Sequence, residues 1–118
     1  MKADAVKYLM DILESIQAIE LHTKEIETLQ AYTQSLVVMD AVERRLAVIG
    51  EALRKAFKQD PDLGITDSRK IIGLRHILVH DYDKIDDASI WSILQKNIPV
   101  LKKEVAHLID HQHGTAKH

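Results

Sequence analysis

Residues Arg75 to Tyr82, Arg-His-Ile-Leu-Val-His-Asp-Tyr, gather one fixed cation, two imidazoles and a phenol into just over two helical turns. Arginine grips a phosphate through two parallel hydrogen bonds and is always charged. Histidine titrates near neutrality, so His80 can give or take a proton at working pH. A cation beside an acid/base group is a minimal kit for breaking an RNA phosphodiester, where the 2′-hydroxyl can serve as the nucleophile.

Spacing sets a condition on that kit. Five residues on a helix rotate by roughly 140°, so Arg75 and His80 do not share a face. Arg75 lines up with Val79 and Tyr82, and His76 lines up with His80. An active site built from Arg75 and His80 therefore needs a local irregularity in the helix or a second copy of it. A two-fold dimer supplies the copy, with both motifs facing one cleft. On spacing alone, Arg-x4-His is common. The plainer account, a surface Arg and a His at a helix C-terminus where the dipole favours it, is then preferred.

His76 and His80 also have the spacing of a two-histidine metal site, to which Asp81 or Asp83 could add a carboxylate. No Glu follows the first His, so the zinc-protease pattern is absent, and two ligands are not a site. No metal and no cofactor are expected. His107 and His111 repeat the spacing, with His113 nearby; they read as a solvated face near the chain end.

The rest of the chain must position this segment. Val6, Leu9, Leu13, Ile16 and Ile19 predict a first helix over about 3–21. Thr23 is placed to cap a shorter segment over 23–32, with Glu25 and Glu27 in its first turn. Met39, Val42, Leu46, Ile49, Leu53 and Ala56 alternate steps of three and four, a heptad-like seam on a long helix. Gly50 interrupts good helix formers at a cost of up to about 1 kcal/mol, which points to close approach of another backbone, with the motif helix as one candidate. Arg44, Arg45 or Glu51 could reach the cleft from this helix, the sequence leaving open which face meets it.

Gln59-Asp60-Pro61-Asp62-Leu63-Gly64 ends the helix with turn chemistry. Asp67 or Thr66 then caps the motif helix, which carries Ile71, Leu74, Ile77 and Leu78 and ends near 81–83. A last helix starts at Asp86 or Asp87, with Trp91, Leu94, Ile98, Leu101, Val105 and Leu108 as its seam. Pro99 should kink it or split it near Asn97. Tyr32 and Trp91 read as core or rim. The stretch 111–118 reads as a frayed tail. The fold class is all-α, an antiparallel bundle of four to five helices in one domain over 1–118.

The totals agree with this frame. Glycine (4) and proline (2) are scarce among 118 residues, which favours helices over a turn-rich β fold. Cysteine is absent, so disulfides, a thiolate metal site and a cysteine nucleophile are excluded. No apolar run approaches the roughly 20 residues of a membrane span. The N-terminus lacks a signal h-region, and the reading is cytoplasmic. Net charge is −2, yet from Arg44 to Lys84 nine cations face six acids, a surplus of +3 around the motif. That is a weak electrostatic footprint for a polyanion; two solvated helix faces explain it equally well.

Four stretches in order resemble the HEPN superfamily, specifically its HepT-type proteins. They are Lys7-Tyr8-Leu9-Met10-Asp11-Ile12-Leu13; Ala41-Val42-Glu43-Arg44-Arg45-Leu46-Ala47-Val48-Ile49-Gly50-Glu51-Ala52; Gly73-Leu74-Arg75-His76-Ile77-Leu78-Val79-His80-Asp81-Tyr82; and Trp91 with Pro99 and Leu101. The third is the most specific, because it holds the Arg-polar-x3-His core and the following x-Tyr. The resemblance implies a helical homodimer whose two motifs meet at the interface. It implies a metal-independent endoribonuclease toxin with Arg75 and His80 as the catalytic pair. His76 takes the polar position, usually asparagine in this branch, in a supporting or substrate-binding role. Tyr82 matches the tyrosine that a cognate minimal nucleotidyltransferase antitoxin adenylylates. Two other classes fit the same residues. One is a non-catalytic helical partner, or substrate-recognition subunit, of a nucleotidyltransferase, needing Tyr82 but not His80. The other is a nucleotide- or RNA-binding module that uses Arg75 for phosphate without cleavage.

Overall fold

Apolar stripes of helical period build five helices that pack side by side. The computed structural model describes residues 3–66 and 68–116, with side chains as far as His111. The elements are α1 (Ala3–His22), α2 (Leu29–Thr33), α3 (Leu36–Gln59), α4 (Arg69–His80) and α5 (Asp87–Ala116), with a 3-10 turn at Tyr82–Lys84. No strand occurs among the described residues. The bundle is elongated, 50 × 29 × 19 Å.

Helix α3 is the centre. It packs on α1 along one side and on α4 along the other, while α5 closes against α1 and α2. Its predicted seam is borne out: Val42, Leu46, Ile49, Leu53 and Ala56 are buried, and Met39 packs at the edge. Leu9, Ile12 and Ile16 of α1 meet it, and burial of each such side chain stabilises the fold by about 1.5–3 kcal/mol. Of the predicted α5 seam, Leu94, Ile98, Leu101 and Val105 are buried while Trp91 and Leu108 are half-buried at its ends, and Ile90 and Ile93 widen it because this helix faces two neighbours. Tyr32 is sealed in the core with its ring centroid 5.7 Å from that of Trp91, which stands at the rim.

Three local expectations change. Thr23 does not start a helix; its hydroxyl and N–H both donate to the Ile19 carbonyl (2.8 and 2.9 Å) and close α1. A threonine hydroxyl within reach of the carbonyl four residues back takes that bond instead of capping. The cap of α2 is Thr28, whose Oγ1 accepts from the Ala31 N–H at 3.1 Å.

The α4 N-terminus is not capped by Thr66. Ser68 holds the cap position without a side-chain bond. The Thr66 N–H and hydroxyl instead donate to the Glu104 carboxylate of α5 at 3.0–3.2 Å. Asp67, the other expected cap, lies outside the described residues.

Helix α5 is not split near Asn97; it runs through Pro99. The carbonyl that Pro99 cannot serve belongs to exposed Gln95, where water can satisfy it, while buried Ile98 and Leu101 hold the axis on the core side. Its start follows the sequence. Asp86 accepts from the Ala88 N–H at 3.1 Å and from the Ser89 hydroxyl at 2.9 Å. The end of α5 is helical to Ala116, and its side chains beyond His111 lie outside the described residues.

Candidate active site

Gly50 is where α3 admits α4. A Cβ built there would stand 2.6 Å from the Arg75 Cβ and 2.9 Å from the Ile71 carbonyl oxygen. The close approach expected from a glycine inside a strong helix is present, and its partner is the motif helix. The contact seats the root of Arg75 against the α3 backbone.

Arg75 Nε lies 3.1 Å from Glu51 Oε2, and the other oxygen, Oε1, lies 2.6 Å from Arg54 Nη2. Glu51 thus sits between two guanidiniums. The hydrogen bond from Arg54 holds its carboxyl below the usual range; burial opposes it, and the charges of Arg75, Arg54 and Lys55 add to the lowering.

Arg75 also borders a groove of about 470 Å³ between α1, α3 and α4. Its floor is apolar, with Ala47, Val48, Ala52 and Leu78. Tyr8 and Asp11 stand on the α1 side, Arg44 and Lys55 at opposite ends of the α3 side, and Val79 on α4. Glu43 lines it as well. Burial, then the like charges of Asp87 and Asp40, push the Glu43 carboxyl above its usual range.

Within one chain, Arg75 and His80 do not share a face. Helix α4 is regular through His80, its last residue, so it holds no irregularity to bring the two together. His80 is exposed and pairs with His76, ring centroids 5.0 Å apart and tilted by 45°. His76 Nε2 lies 3.7 Å from Asp81 Oδ2, an ion pair when the imidazole is protonated. Tyr82 does not line up with Arg75 on the helix. The chain leaves helical geometry at Asp81 (φ −128°, ψ 45°), and Tyr82 enters the 3-10 turn with 74% of its surface exposed.

Among the described residues no three His, Asp or Glu side chains converge to hold a metal ion. No helix there is long and apolar enough to cross a membrane. A second groove of about 440 Å³ opens between α4 and α5, where Leu74, Ile77 and Ile93 meet Asn97.

Sequence reasoning missed Tyr8, Asp11 and Lys55. The available signal was a polar stripe on α3, Arg44, Glu51 and Lys55, running beside the apolar seam at helical spacing. Nothing in the sequence named Tyr8 and Asp11 as its counterparts.

Comparison with known proteins rests on most of the chain. The family model described as ribonuclease HepT-like matches residues 12–108. A Methanocaldococcus jannaschii protein provisionally named an RNase is 34% identical over 111 residues, 88% of this chain and 95% of that one. Another of that organism, likewise provisionally named an RNase, is 32% identical over 112 residues, covering 92% and 89% of the two chains. A Thermococcus cleftensis protein provisionally named ribonuclease HepT is 33% identical over 106 residues, covering 86% and 93%. No solved structure gives a significant match. With an all-helical bundle, a motif helix carrying Arg-x4-His with Tyr82 just past its end, and a match over residues 12–108, the chain belongs to the HepT-like ribonucleases of the HEPN superfamily.

Proposed function

We propose that this protein is a metal-independent endoribonuclease, the toxin of a toxin–antitoxin pair, that works as a homodimer with Arg75 and His80 as its catalytic residues. The observation that carries the reading is the outer end of α4. It displays His76, His80 and Tyr82 to solvent and keeps Arg75 at the mouth of a groove, in a chain of this family.

Because the two residues lie on different faces of one helix, a second copy supplies the missing half. The two copies meet through the motif ends of their α4 helices, setting Arg75 of one protomer near His80 of the other. In the reaction, the 2′-hydroxyl attacks the adjacent phosphorus and the bond to the 5′-oxygen breaks. The products are a 2′,3′-cyclic phosphate and a 5′-hydroxyl end. Arg75 stabilises charge that grows on the phosphoryl oxygens. His80 moves the proton of the 2′-hydroxyl or of the leaving oxygen, and His76 or a residue of the other protomer completes the pair.

Tyr82 is the site of neutralisation. Its oxygen attacks the α-phosphorus of ATP on a cognate minimal nucleotidyltransferase, and pyrophosphate leaves. The added AMP is a bulky anion beside the cleft that repels RNA and competes for Arg75. The exposure of Tyr82 supports this reading.

The experiment is cleavage of bulk cellular RNA by purified protein free of AMP, in EDTA, with His80→Ala alongside. Cleavage by the wild type alone is the expected result. Equal cleavage by both proteins, or by neither, overturns the catalytic assignment.

A further inference from the structure

The groove beside Arg75 is more than the mouth of the motif. We infer that it is a subsite for single-stranded RNA, holding one base against Tyr8 and the apolar floor and phosphates farther along the same strand, on either side, at Arg44 and Lys55. The inference rests on the ribonuclease reading and adds to it the form of substrate admitted.

Size decides first. About 470 Å³ is room for roughly one nucleotide, not for a base pair with its two backbones. An unpaired base can enter edge-first and leave its backbone outside, as single-strand readers do. A duplex cannot present a base in this way without unpairing it.

The lining decides second. Ala47, Val48 and Ala52 are small side chains in successive turns of α3, which leaves a shallow apolar floor. Tyr8 at the wall offers an aromatic face, and base–aromatic stacking contributes about 1–3 kcal/mol per base. The Lys55 ammonium lies 5.8 Å from the Tyr8 ring centroid. A stacked base takes its place and releases Lys55 to a phosphate.

Charge decides third. Arg44 and Lys55 make no ion pair among the described residues, whereas Arg75 and Arg54 are both held by Glu51. The two unpaired cations are eleven residues apart on α3, about 16 Å along its axis. Arg75 stands between them across the groove. That array tracks a backbone along the helix and leads it past the motif. Asp11 and Glu43 can accept from the N–H groups that every unpaired base offers, and the larger purine face stacks better on Tyr8, so the groove favours adenine over uracil.

The test is binding, independent of cleavage. A fluorescent single-stranded oligoadenylate, an oligouridylate of equal length and an RNA duplex are titrated into the His80→Ala protein by anisotropy. The same titrations use Tyr8→Ala, Tyr8→Phe and Lys55→Ala added to that background. Expected is tighter binding of oligoadenylate than of the other two. Tyr8→Ala should weaken it on the order of tenfold and Tyr8→Phe should restore it. Lys55→Ala should weaken it and flatten its salt dependence. Lys55 is exposed, so its variant remains informative if Tyr8→Ala does not fold. Unchanged oligoadenylate binding on loss of Lys55 and, where it folds, of the Tyr8 ring overturns the subsite, as does a preference for duplex. Absence of cleavage by the wild type, with these binding results intact, would sink the nuclease reading and leave the subsite standing.

Discussion

The Glu51 carboxylate stands 3.1 Å from Arg75 and shares its second oxygen with Arg54. The motif arginine is therefore neutralised at rest by a neighbour on α3. Glu51→Gln removes that charge. Because the pair is partly exposed, the loss of stability at pH 7 should be below about 1 kcal/mol. The sign with pH is fixed by the lowered carboxyl of Glu51. A depressed folded-state pKa contributes stability above the unfolded value of about 4.3 and loses it as pH falls through the folded value. Urea unfolding of wild type and variant should differ at pH 7, and the difference should shrink as the pH falls below 4.

Gly50→Ala sets helix propensity against packing. Alanine gains up to about 1 kcal/mol in a helix interior. The added methyl, however, meets the root of Arg75 and a backbone oxygen, neither of which is a flexible end. Overpacking should win, with a net loss of about 1–2 kcal/mol and a lower Tm. A variant more stable than the wild type would mean that α4 moves away at little cost.

Tyr32→Phe should stabilise. The hydroxyl is buried and has no hydrogen-bond partner, and burial followed by the charges of Glu43, Asp87 and Asp40 pushes its pKa far up. Removing an unsatisfied buried hydroxyl returns its desolvation cost, about 1 kcal/mol, while the ring keeps its place beside Trp91. Thermal melting at pH 7 reads the gain; a fall in Tm would assign the hydroxyl a bridging role.

Glu43→Gln should also stabilise at neutral pH. A carboxyl whose folded pKa is raised contributes its stability below the unfolded value and loses it as pH rises through the folded one. At pH 7 the wild type carries that cost and the amide does not. The gain should be below about 1 kcal/mol, since the group is partly solvated, and it should vanish below pH 4. A gain of equal size at pH 3 would trace it to packing instead of charge.

The seams of α1, α3 and α5 were legible because apolar residues at steps of three and four have one reading. Gly50 was legible for a related reason: a residue that weakens its own helix is kept where a side chain will not fit. The caps were less so. Thr23, Thr28, Ser35 and Thr66 carry the same hydroxyl, and tertiary position alone determines that Thr66 bonds Glu104 across 38 residues while Thr28 caps its own helix. Tyr8 and Asp11 were hidden because their role comes from lying opposite Arg44 and Lys55 in space. Arg75 and His80 were named by the family pattern, and their separation on α4 followed from helical geometry.

The order in which the helices pair has a consequence for synthesis. Helix α3 takes α1 and α4 as neighbours close in the chain, whereas α5 must return to α1 from the far end. Local pairings form with less loop entropy than distant ones, and chains fold from the N-terminus as they emerge. The motif helix can therefore settle on α3 before α5 has docked. In that interval its α5-facing side, with Leu74 and Ile77, is bare. The chain carries the seated motif before the last wall of the bundle closes.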